Sequence, residues 1–432
     1  MSDAGPATVT ADRPERGPAP PAAAEQAGLA HVATASFLAS RVVPTGGYAI
    51  ALAGGVALAR AAQVAGMRTG YGASLAATLQ AIAVMGPSRL SVPLTQGLSA
   101  PLLGRMVARG ASLAAQLAAC MAIRISDQVV TALFYIWIIV GGVDAYAATY
   151  DALIGRIPGI PQGPSAALVA TAAGLVAWTI FASVVQVLVY RAALAAWPAS
   201  RPRPRSASQS GETGPAAARA RRALNPRYDP RVVATAAIVA FVVLVWTTAW
   251  PVLGAVAAWL AAAWATARGD RTPIRAGLAL AALLAGGALV FGLVGGVDLD
   301  LTLQRTVRAA LLVLVATWLR AAAGEQGLRE VARRALGRLQ RVPAMGEASA
   351  ILDRLGATGA LAASARTLVE IVRGVPRRPT PLAAAVLRWV ANEAGGFVAP
   401  QPAPRALLRC AAPDVILVAV LAATVSAATL AL

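Results

Sequence analysis

The sequence predicts an all-α, polytopic helical membrane protein, and three observations lead to this fold class. Of its 432 residues 58% are hydrophobic and 13% are charged, whereas an ordinary soluble domain has about 45–50% apolar and 25% charged residues. The apolar residues form runs of roughly 17–22, enough for a helix to cross a bilayer core. The arginines lie mainly between these runs. We therefore predict about nine transmembrane helices in two modules, in the inner (cytoplasmic) membrane.

The charged and reactive residues exclude several classes of function. The net charge of +19 comes from arginine alone, because the sequence has no lysine. Arginines between apolar runs are explained by positive cytoplasmic loops, so we expect no nucleic-acid partner. Without lysine there is no GxxxxGK[ST] phosphate loop, and His31, Cys120 and Cys410 are too few for an ordinary metal cage. We predict no catalytic residues, no cofactor and no metal site.

The N-terminal half is predicted to contain a tail and a first membrane module. Residues 1–30 read as a disordered cytoplasmic tail, because Met1 to Gln26 is rich in Pro, Ala and Gly and lacks a signal peptide's apolar core. The module covers 31–198, and its predicted spans lie near 47–66, 72–88, 127–142 and 166–190. The segment 104–124 carries three arginines and is either an interfacial helix or a poor span. The acidic loop 143–164 is predicted to lie outside.

A basic, Pro- and Ser-rich segment, 199–231, is predicted to be a cytoplasmic linker to the second module. The membrane helices of that module occupy 232–319, with spans near 232–249, 252–267, 274–294 and 307–319, and a terminal helix follows at 412–432. The loop 267–275 is basic and is predicted inside. The loop 295–302 is acidic and is predicted outside.

Residues 320–411 are predicted to be cytoplasmic amphipathic helices. In "LREVARRALGRLQRVP", residues 328–343, apolar residues recur at helical spacing and five arginines occupy the other face. Two further helices are predicted at 345–374 and 381–396. Such helices lie flat in the membrane interface, dock in a partner's groove, or pack against the protein's own spans, and the sequence leaves these alternatives open.

This order of four spans, cytoplasmic amphipathic helices and one last span resembles the transmembrane T component of energy-coupling-factor transporters, which are ABC-type importers. The resemblance covers about 225–432. In that family, Ala-Arg-Gly-type triplets at the ends of two coupling helices dock on ATPase subunits. The resemblance places Arg373 and Gly374 in the first triplet and Gly395 and Gly396 in the second, where glycine replaces the arginine. It also implies that Arg338 and Arg341, on the preceding helix, take part in coupling, and it includes an aspartate, Asp414, at the start of the terminal span.

A second, weaker resemblance concerns residues 86–130, which are similar to the flippase-like domain of lysylphosphatidylglycerol synthases. It rests on a proline-containing break, spaced arginines and an Arg-x-x-Asp pair before a span. It implies that Arg105, Arg109, Arg124 and Asp127 hold a lipid phosphate. The alternatives are anchoring of the arginines at the inner leaflet and pairing of Arg124 with Asp127, which lies at helical spacing.

Two functions are therefore expected. The first is a membrane subunit of an energy-coupling-factor or other ABC-type uptake transporter, coupling separate cytoplasmic ATPases to the import of a small molecule or metal ion. Its partners would be those ATPases and a separate substrate-binding membrane subunit. The alternative is a flippase-like or other polytopic membrane protein that acts on lipid without ATPase partners. Both alternatives place membrane lipids in contact with the chain.

Overall fold

The computed structural model describes residues 21–42, 47–87, 91–154, 161–198, 228–266, 272–356, 358–376, 378–400 and 412–430, and the isolated positions 157 and 159. Most of the predicted linker, 199–227, and the first 20 residues lie outside the described residues. The described residues form fourteen α-helices, one π-helical segment and the turns between them. The all-α fold class is confirmed for this part of the chain.

Six α-helices occupy the N-terminal half. They are α1 (Pro21–Val42), α2 (Gly47–Met85), α3 (Ser91–Ala108), α4 (Leu113–Leu133), α5 (Val143–Ile154) and α6 (Pro164–Ala195), and a π-helical segment, Phe134–Val140, continues α4. The predicted segment 104–124 is not one helix, because α3 ends at Ala108 and Ser112 caps the next helix by accepting a hydrogen bond from the backbone N–H of Ala115.

Eight α-helices follow in the C-terminal half. They are α7 (Pro230–Trp246), α8 (Trp250–Thr266), α9 (Thr272–Val294), α10 (Leu299–Arg338), α11 (Pro343–Leu352), α12 (Thr358–Gly374), α13 (Pro379–Gly395) and α14 (Ala412–Leu430). Aspartates cap two of them at the N-terminus: Asp229 begins α7 and Asp298 begins α10.

Six of the described helices are long and apolar enough to cross a membrane. They lie at Gly47–Met85, Leu113–Val140, Pro164–Ala195, Ile274–Val294, Leu299–Arg338 and Ala412–Leu430. The apolar helices α7 and α8 have only 17 residues each. A multi-pass membrane protein fits this architecture, while the predicted number of about nine spans is not confirmed.

The spans differ in how much of their apolar surface other helices cover. In the most apolar stretches of α4 and α9 only 11% of residues are buried, whereas in α2 and α10 the shares are 67% and 61%. Exposed apolar surface on this scale is unusual in a soluble monomer and is what a helix in lipid presents. The helices α2 and α10 therefore lie centrally, and α4 and α9 present apolar faces outward.

Glycines break the two longest helical runs. Gly66 in α2 has φ +86° and Gly324 in α10 has φ +67°, a left-handed backbone region that glycine adopts without a Cβ clash. The break at Gly66 separates the two spans predicted near 47–66 and 72–88. The break at Gly324 separates the apolar part of α10 from the amphipathic part that begins the 328–343 stretch.

Helix α1 corrects the prediction of a disordered tail, which was wrong for residues 21–30. The helix begins at Pro21, and Ala27, Leu29 and Ala30 are buried in the core. Its small side chains allow close approach by other helices: a Cβ on Gly28 would collide with the backbone carbonyl of Ala394 in α13. A composition that resembles a flexible tail is here a helix packed within the core.

The amphipathic helices pack with the N-terminal half of the chain. One hydrophobic core joins α1, α2, α3 and α6 to α11, α12 and α13. A second core is formed mainly by α7, α8, α10 and α14. The apolar stripes of α12 and α13, including Leu361, Leu368, Trp389 and Val390, are thus buried within the chain. Packing against the protein's own helices accounts for these stripes.

Candidate anion-binding site

A stripe of buried polar side chains runs along α4 on the face that meets α6. Gln116, Cys120 and Arg124 are the buried residues of this helix, and their spacing of four residues puts them on one face. The rest of α4 carries exposed apolar side chains such as Val129 and Val130. Arg124 lies eleven residues into the helix, about 17 Å along its axis, near the middle of a 28-residue apolar run.

Neutral groups alone hold the guanidinium of Arg124, which is 3% exposed. It donates hydrogen bonds to Gln186 Oε1 and, at 3.2 Å, to Tyr48 Oη. Its Cζ also lies 5.8 Å from the centre of the Tyr48 ring, which is within the range of a cation–π contact. The Nε atom is buried and has no hydrogen-bond partner, so one donor of the arginine remains available.

Polar side chains from α3 and α6 extend the site around Arg124. Gln186 Nε2 donates to Ser99 Oγ at 2.7 Å, and Cys120 Sγ lies 3.6 Å from Gln186 Oε1. Further along α6, Tyr190 Oη donates to Gln96 Oε1. In α6, Thr179, Ser183, Gln186 and Tyr190 are buried on a single face. Hydrogen bonds between such side chains fix neighbouring helices in lipid, so the position of Arg124 is set by its surroundings.

Asp127 does not pair with Arg124. Its Oδ2 accepts a hydrogen bond from Thr95 Oγ1 of α3 at 2.6 Å, and no ion pair to Arg124 occurs among the described residues. The predicted alternative, mutual pairing at helical spacing, was therefore wrong. The carboxylate is bound to α3, which leaves the arginine without an acidic partner.

The other two arginines of the expected phosphate site do not join Arg124. Arg105 is half-buried near the end of α3, and Arg109 is exposed in the turn that follows. They lie six and ten residues beyond Ser99, about 9 and 15 Å along the chain's helical axis. The structure thus brings Arg124 and Asp127 into one network through α3, and leaves Arg105 and Arg109 outside it.

Three aromatic side chains connect the site to the lipid-facing surface. The rings of Tyr48 and Trp178 are 5.9 Å apart, and those of Trp178 and Phe181 are also 5.9 Å apart. Trp178 is 43% exposed and Phe181 is 59% exposed. The row therefore leads from the surface of α6 to the ring that stacks on Arg124.

The residues expected to couple to ATPases lie on the surface but apart from one another. Arg373, Gly374, Arg338, Arg341 and Gly395 are exposed or partly exposed, and Gly396 is partly exposed. Ser364 Oγ, early in α12, donates to Glu393 Oε1, late in α13, at 2.6 Å, which makes the two helices antiparallel. Arg373 is therefore near the turn of this hairpin, and Gly395 is at the opposite end, about 15 Å away along the helices.

Arginines at the start of the 328–343 stretch make contacts inside the protein. Arg329 donates to the backbone carbonyls of Leu352 and Leu355 at 3.1 and 2.9 Å. Arg333 forms ion pairs with Glu330 and Asp353. These side chains attach the end of α11 to α10, and the later Arg338 and Arg341 are left nearer the surface.

The sequence pointed to Arg124 and Asp127 but not to most of the groups around them. Gln116 and Gln186 were recognisable only as polar residues within apolar runs, and nothing singled out Tyr48 and Ser99. The spacing of Thr179, Ser183, Gln186 and Tyr190 along α6 was a usable signal, since it marks one polar face in an apolar helix.

The fold and the site together define a multi-pass helical membrane protein with an arginine buried between its apolar helices. No protein-family model matches the chain, and neither a curated protein nor a solved structure shows significant similarity to it. Both resemblances drawn from the sequence therefore stay predictions.

Proposed function

We propose that the protein is a flippase-like membrane protein that acts on an anionic lipid, whose phosphate binds Arg124. The observation that carries this proposal is the state of Arg124: it is buried near the middle of an apolar helix, it has no acidic partner among the described residues, and its Nε is unsatisfied. A charge at bilayer depth costs about 3 kcal/mol on insertion scales. Such residues are rare in spans and generally mark a substrate path.

A lipid phosphate fits the donors that remain. Guanidinium groups form charge-assisted hydrogen bonds to phosphate, and the Nε of Arg124 still has its hydrogen to donate, whereas its Nη2 already donates to Gln186 and Tyr48. The hydroxyls of Tyr48 and Ser99 add polar groups beside it. A headgroup that crosses a bilayer loses its water at mid-depth, and an arginine there replaces part of that hydration.

The row formed by Tyr48, Trp178 and Phe181 supports access from the side. Phe181 and Trp178 are exposed on α6, where acyl chains surround the protein, and Tyr48 contacts Arg124. A lipid entering by this route keeps its chains in the bilayer while its headgroup moves inward. The protein then needs no aqueous channel for the transfer.

The proposal is tested with the full-length protein in liposomes that contain fluorescent phosphatidylglycerol. Dithionite bleaches the outer leaflet, and wild-type protein is expected to move inner-leaflet lipid outward at least tenfold faster than protein-free membranes. Arg124→Gln removes the phosphate-binding charge and is expected to abolish this gain. Arg191→Gln is the matched control, because Arg191 is an exposed arginine of α6.

Two results would overturn the proposal. The first is transfer of phosphatidylglycerol at the protein-free rate by a wild-type protein that is monodisperse in detergent. The second is equal transfer by the Arg124→Gln and Arg191→Gln variants.

A second candidate function is coupling to cytoplasmic ABC ATPases in a small-molecule or metal-ion importer. Arg373 and Gly374 are exposed near the turn of the α12–α13 hairpin, and the exposed residues Arg366 and Glu370 lie on the same helix. A charged helix end of this kind suits charge-assisted bonds to acidic groups of a partner.

Affinity purification in mild detergent tests the coupling function. ATPase subunits are expected to be recovered with the wild type and lost with Arg373→Glu, whereas Arg388→Glu on the exposed face of α13 is expected to retain them. Recovery of the chain alone from its native membrane, with no ATPase, rejects this second function and leaves the lipid proposal unaffected.

A further inference from the structure

Two buried arginines in α10 form a second cationic site, separate from Arg124. Arg305 and Arg308 are 9% and 4% exposed. They were not expected from the sequence, which placed an arginine-free loop at 295–302 and began the next span at 307. The available signal was a pair of arginines three residues apart at the start of an apolar helix, where they share a face.

The two side chains are held differently, and neither has an acidic partner among the described residues. Arg305 Nη2 donates to the backbone carbonyl of Gly141 at 3.3 Å. The guanidinium of Arg305 also fills the space that a Cβ on Gly141 would occupy. Arg308 Nη2 is buried without a hydrogen-bond partner. The nearby Asp300 accepts instead from Trp250 Nε1 at 2.7 Å.

An apolar groove runs along α10 from the residue that follows Arg308. Its volume is about 680 Å³, and it is bounded by the π-helical segment, α7, α9 and α10. On α10 its lining begins at Ala309, directly after Arg308, and continues to Leu319, a length of about 15 Å. Exposed residues such as Ile238 and Leu283 form its rim, so the groove is open toward lipid.

The arginines and the groove belong to one face of α10. Arg308, Leu312, Val315 and Leu319 follow one another at intervals of three or four residues, which is the spacing of one helical face, and the last three line the groove. A molecule that lies along this face thus meets cationic groups at one end and hydrocarbon over the rest.

We propose that this face binds one anionic phospholipid, with its phosphate on Arg308 and Arg305 and one acyl chain in the groove. Charge complementarity selects the headgroup, because two buried arginines without acids attract an anion. The groove suits the acyl chain of the lipid, because its lining is apolar and its volume falls within the range of about 300–1,000 Å³ of small-molecule sites. The inference does not depend on Arg124, which lies on another helix.

Two glycines of α9 provide a matched pair for the test. Gly287 lines the groove and Gly286 does not, and a Cβ at either position meets nothing within 4 Å. Gly287→Leu therefore adds an apolar side chain to the groove, whose lining does not include the arginines. Gly286→Leu adds the same side chain beside it.

The experiment uses full-length Arg124→Gln protein, so that the first site cannot contribute. Phosphatidylglycerol or phosphatidylcholine is added in neutral detergent micelles, and native mass spectrometry counts the lipids retained. We expect one retained phosphatidylglycerol, at least fivefold more occupied than phosphatidylcholine. Arg308→Gln and Gly287→Leu are expected to lower that occupancy at least fivefold, whereas Gly286→Leu and Arg308→Lys retain it.

The outcomes distinguish a phospholipid site from general lipid contact and from a site for free anions. Equal retention of both lipids, unchanged in Arg308→Gln, means general lipid contact and overturns the inference. Displacement by inorganic phosphate, together with normal binding by Gly287→Leu, means a site for free anions and also overturns it. Because the transfer assay depends on Arg124 and this assay does not, either proposal fails independently of the other.

Discussion

Arg124 combines a cost and a benefit that a stability measurement can separate. Burying the charge of Arg124 between apolar helices costs about 3 kcal/mol on insertion scales, and its two hydrogen bonds to neutral groups offset most of that cost. In the protein without a bound anion, the desolvation cost and the hydrogen bonds have opposite effects on the free energy of unfolding. A bound anion adds stability through its attraction to the charge of Arg124, which an uncharged side chain cannot provide.

The first prediction concerns Arg124→Gln. In neutral detergent we expect its melting temperature to stay close to that of the wild type, because desolvation and hydrogen bonding nearly cancel. With both proteins in an Arg308→Gln background, which removes the proposed second lipid site, phosphatidylglycerol at a hundred times its dissociation constant should stabilise the protein with Arg124 by about 2.7 kcal/mol and should not stabilise the Arg124→Gln protein. A similar rise in both proteins would contradict a role for Arg124 in binding, and Arg191→Gln controls for loss of surface charge.

The second prediction concerns Asp229, the N-terminal cap of α7. Arg231 hydrogen-bonds to its carboxylate and holds the pKa of Asp229 below the usual value. A lowered pKa in the folded state gives stability that is present above the unfolded pKa, near 3.9, and that is lost as the pH falls through the folded pKa.

Asp229→Asn keeps a capping oxygen and removes the charge. We expect the variant to be about 1 kcal/mol less stable than the wild type at pH 7, and this difference should shrink as the pH is lowered below about 4. Denaturation at a series of pH values measures it. A difference that is constant from pH 7 to pH 3 would show that the ion pair is not its source.

At the scale of helices, α1 shows that the composition of one segment does not reveal the contacts which that segment makes with other helices. The apolar spans were predictable because hydropathy is a property of each segment alone. Helix α1 was not, because its alanines, serines and threonines pack on the neighbouring α2 and also on α12 and α13, which are distant in sequence. The amphipathic periodicity of 345–396 marked helices there, but the single helix predicted at 345–374 is two helices, α11 and α12. The periodicity also did not identify the surface that covers their apolar stripes.

The third prediction tests the contact between α1 and α13. A side chain at Gly28 collides with the backbone of Ala394, so Gly28→Val should displace α13 and increase trypsin cleavage after Arg388 several-fold. Gly359→Val is the control, because a Cβ at Gly359 meets nothing within 4 Å. Equal cleavage of the two variants would mean that α13 does not depend on α1 for its position.

The candidate site was predictable to the same limited degree. Arg124 and Asp127 were visible as charges within an apolar region, yet their partners come from three other helices. Asp127 accepts a hydrogen bond from Thr95, which lies 32 positions earlier in the chain. The spacing of residues within one helix cannot predict such a contact. Arg305 and Arg308 were overlooked because they sit at a predicted boundary between loop and span.

On the scale of the whole molecule, the fourth prediction concerns orientation in the membrane. From the charges of the basic loop at 267–275 and the acidic loop at 295–302, the sequence predicts that opposite ends of α9 lie inside and outside. With Cys120 and Cys410 replaced by alanine, a cysteine at Arg373 should be labelled by an impermeant maleimide only after the membrane is opened. A cysteine at Asp144 should react in intact cells. Labelling of position 373 from outside would reverse the orientation and remove the basis for the ATPase function.

The packing of α1 also has a consequence for how the protein is made. Its partners α12 and α13 begin more than 300 residues later in the chain, which at synthesis rates of about 5–20 residues per second is a delay of roughly 20–70 s. During that interval the part of α1 that α12 and α13 cover in the folded protein has no partner. Any messenger truncated before α12 and α13 yields a chain in which that part of α1 stays uncovered, a natural substrate for chaperones and quality-control proteases.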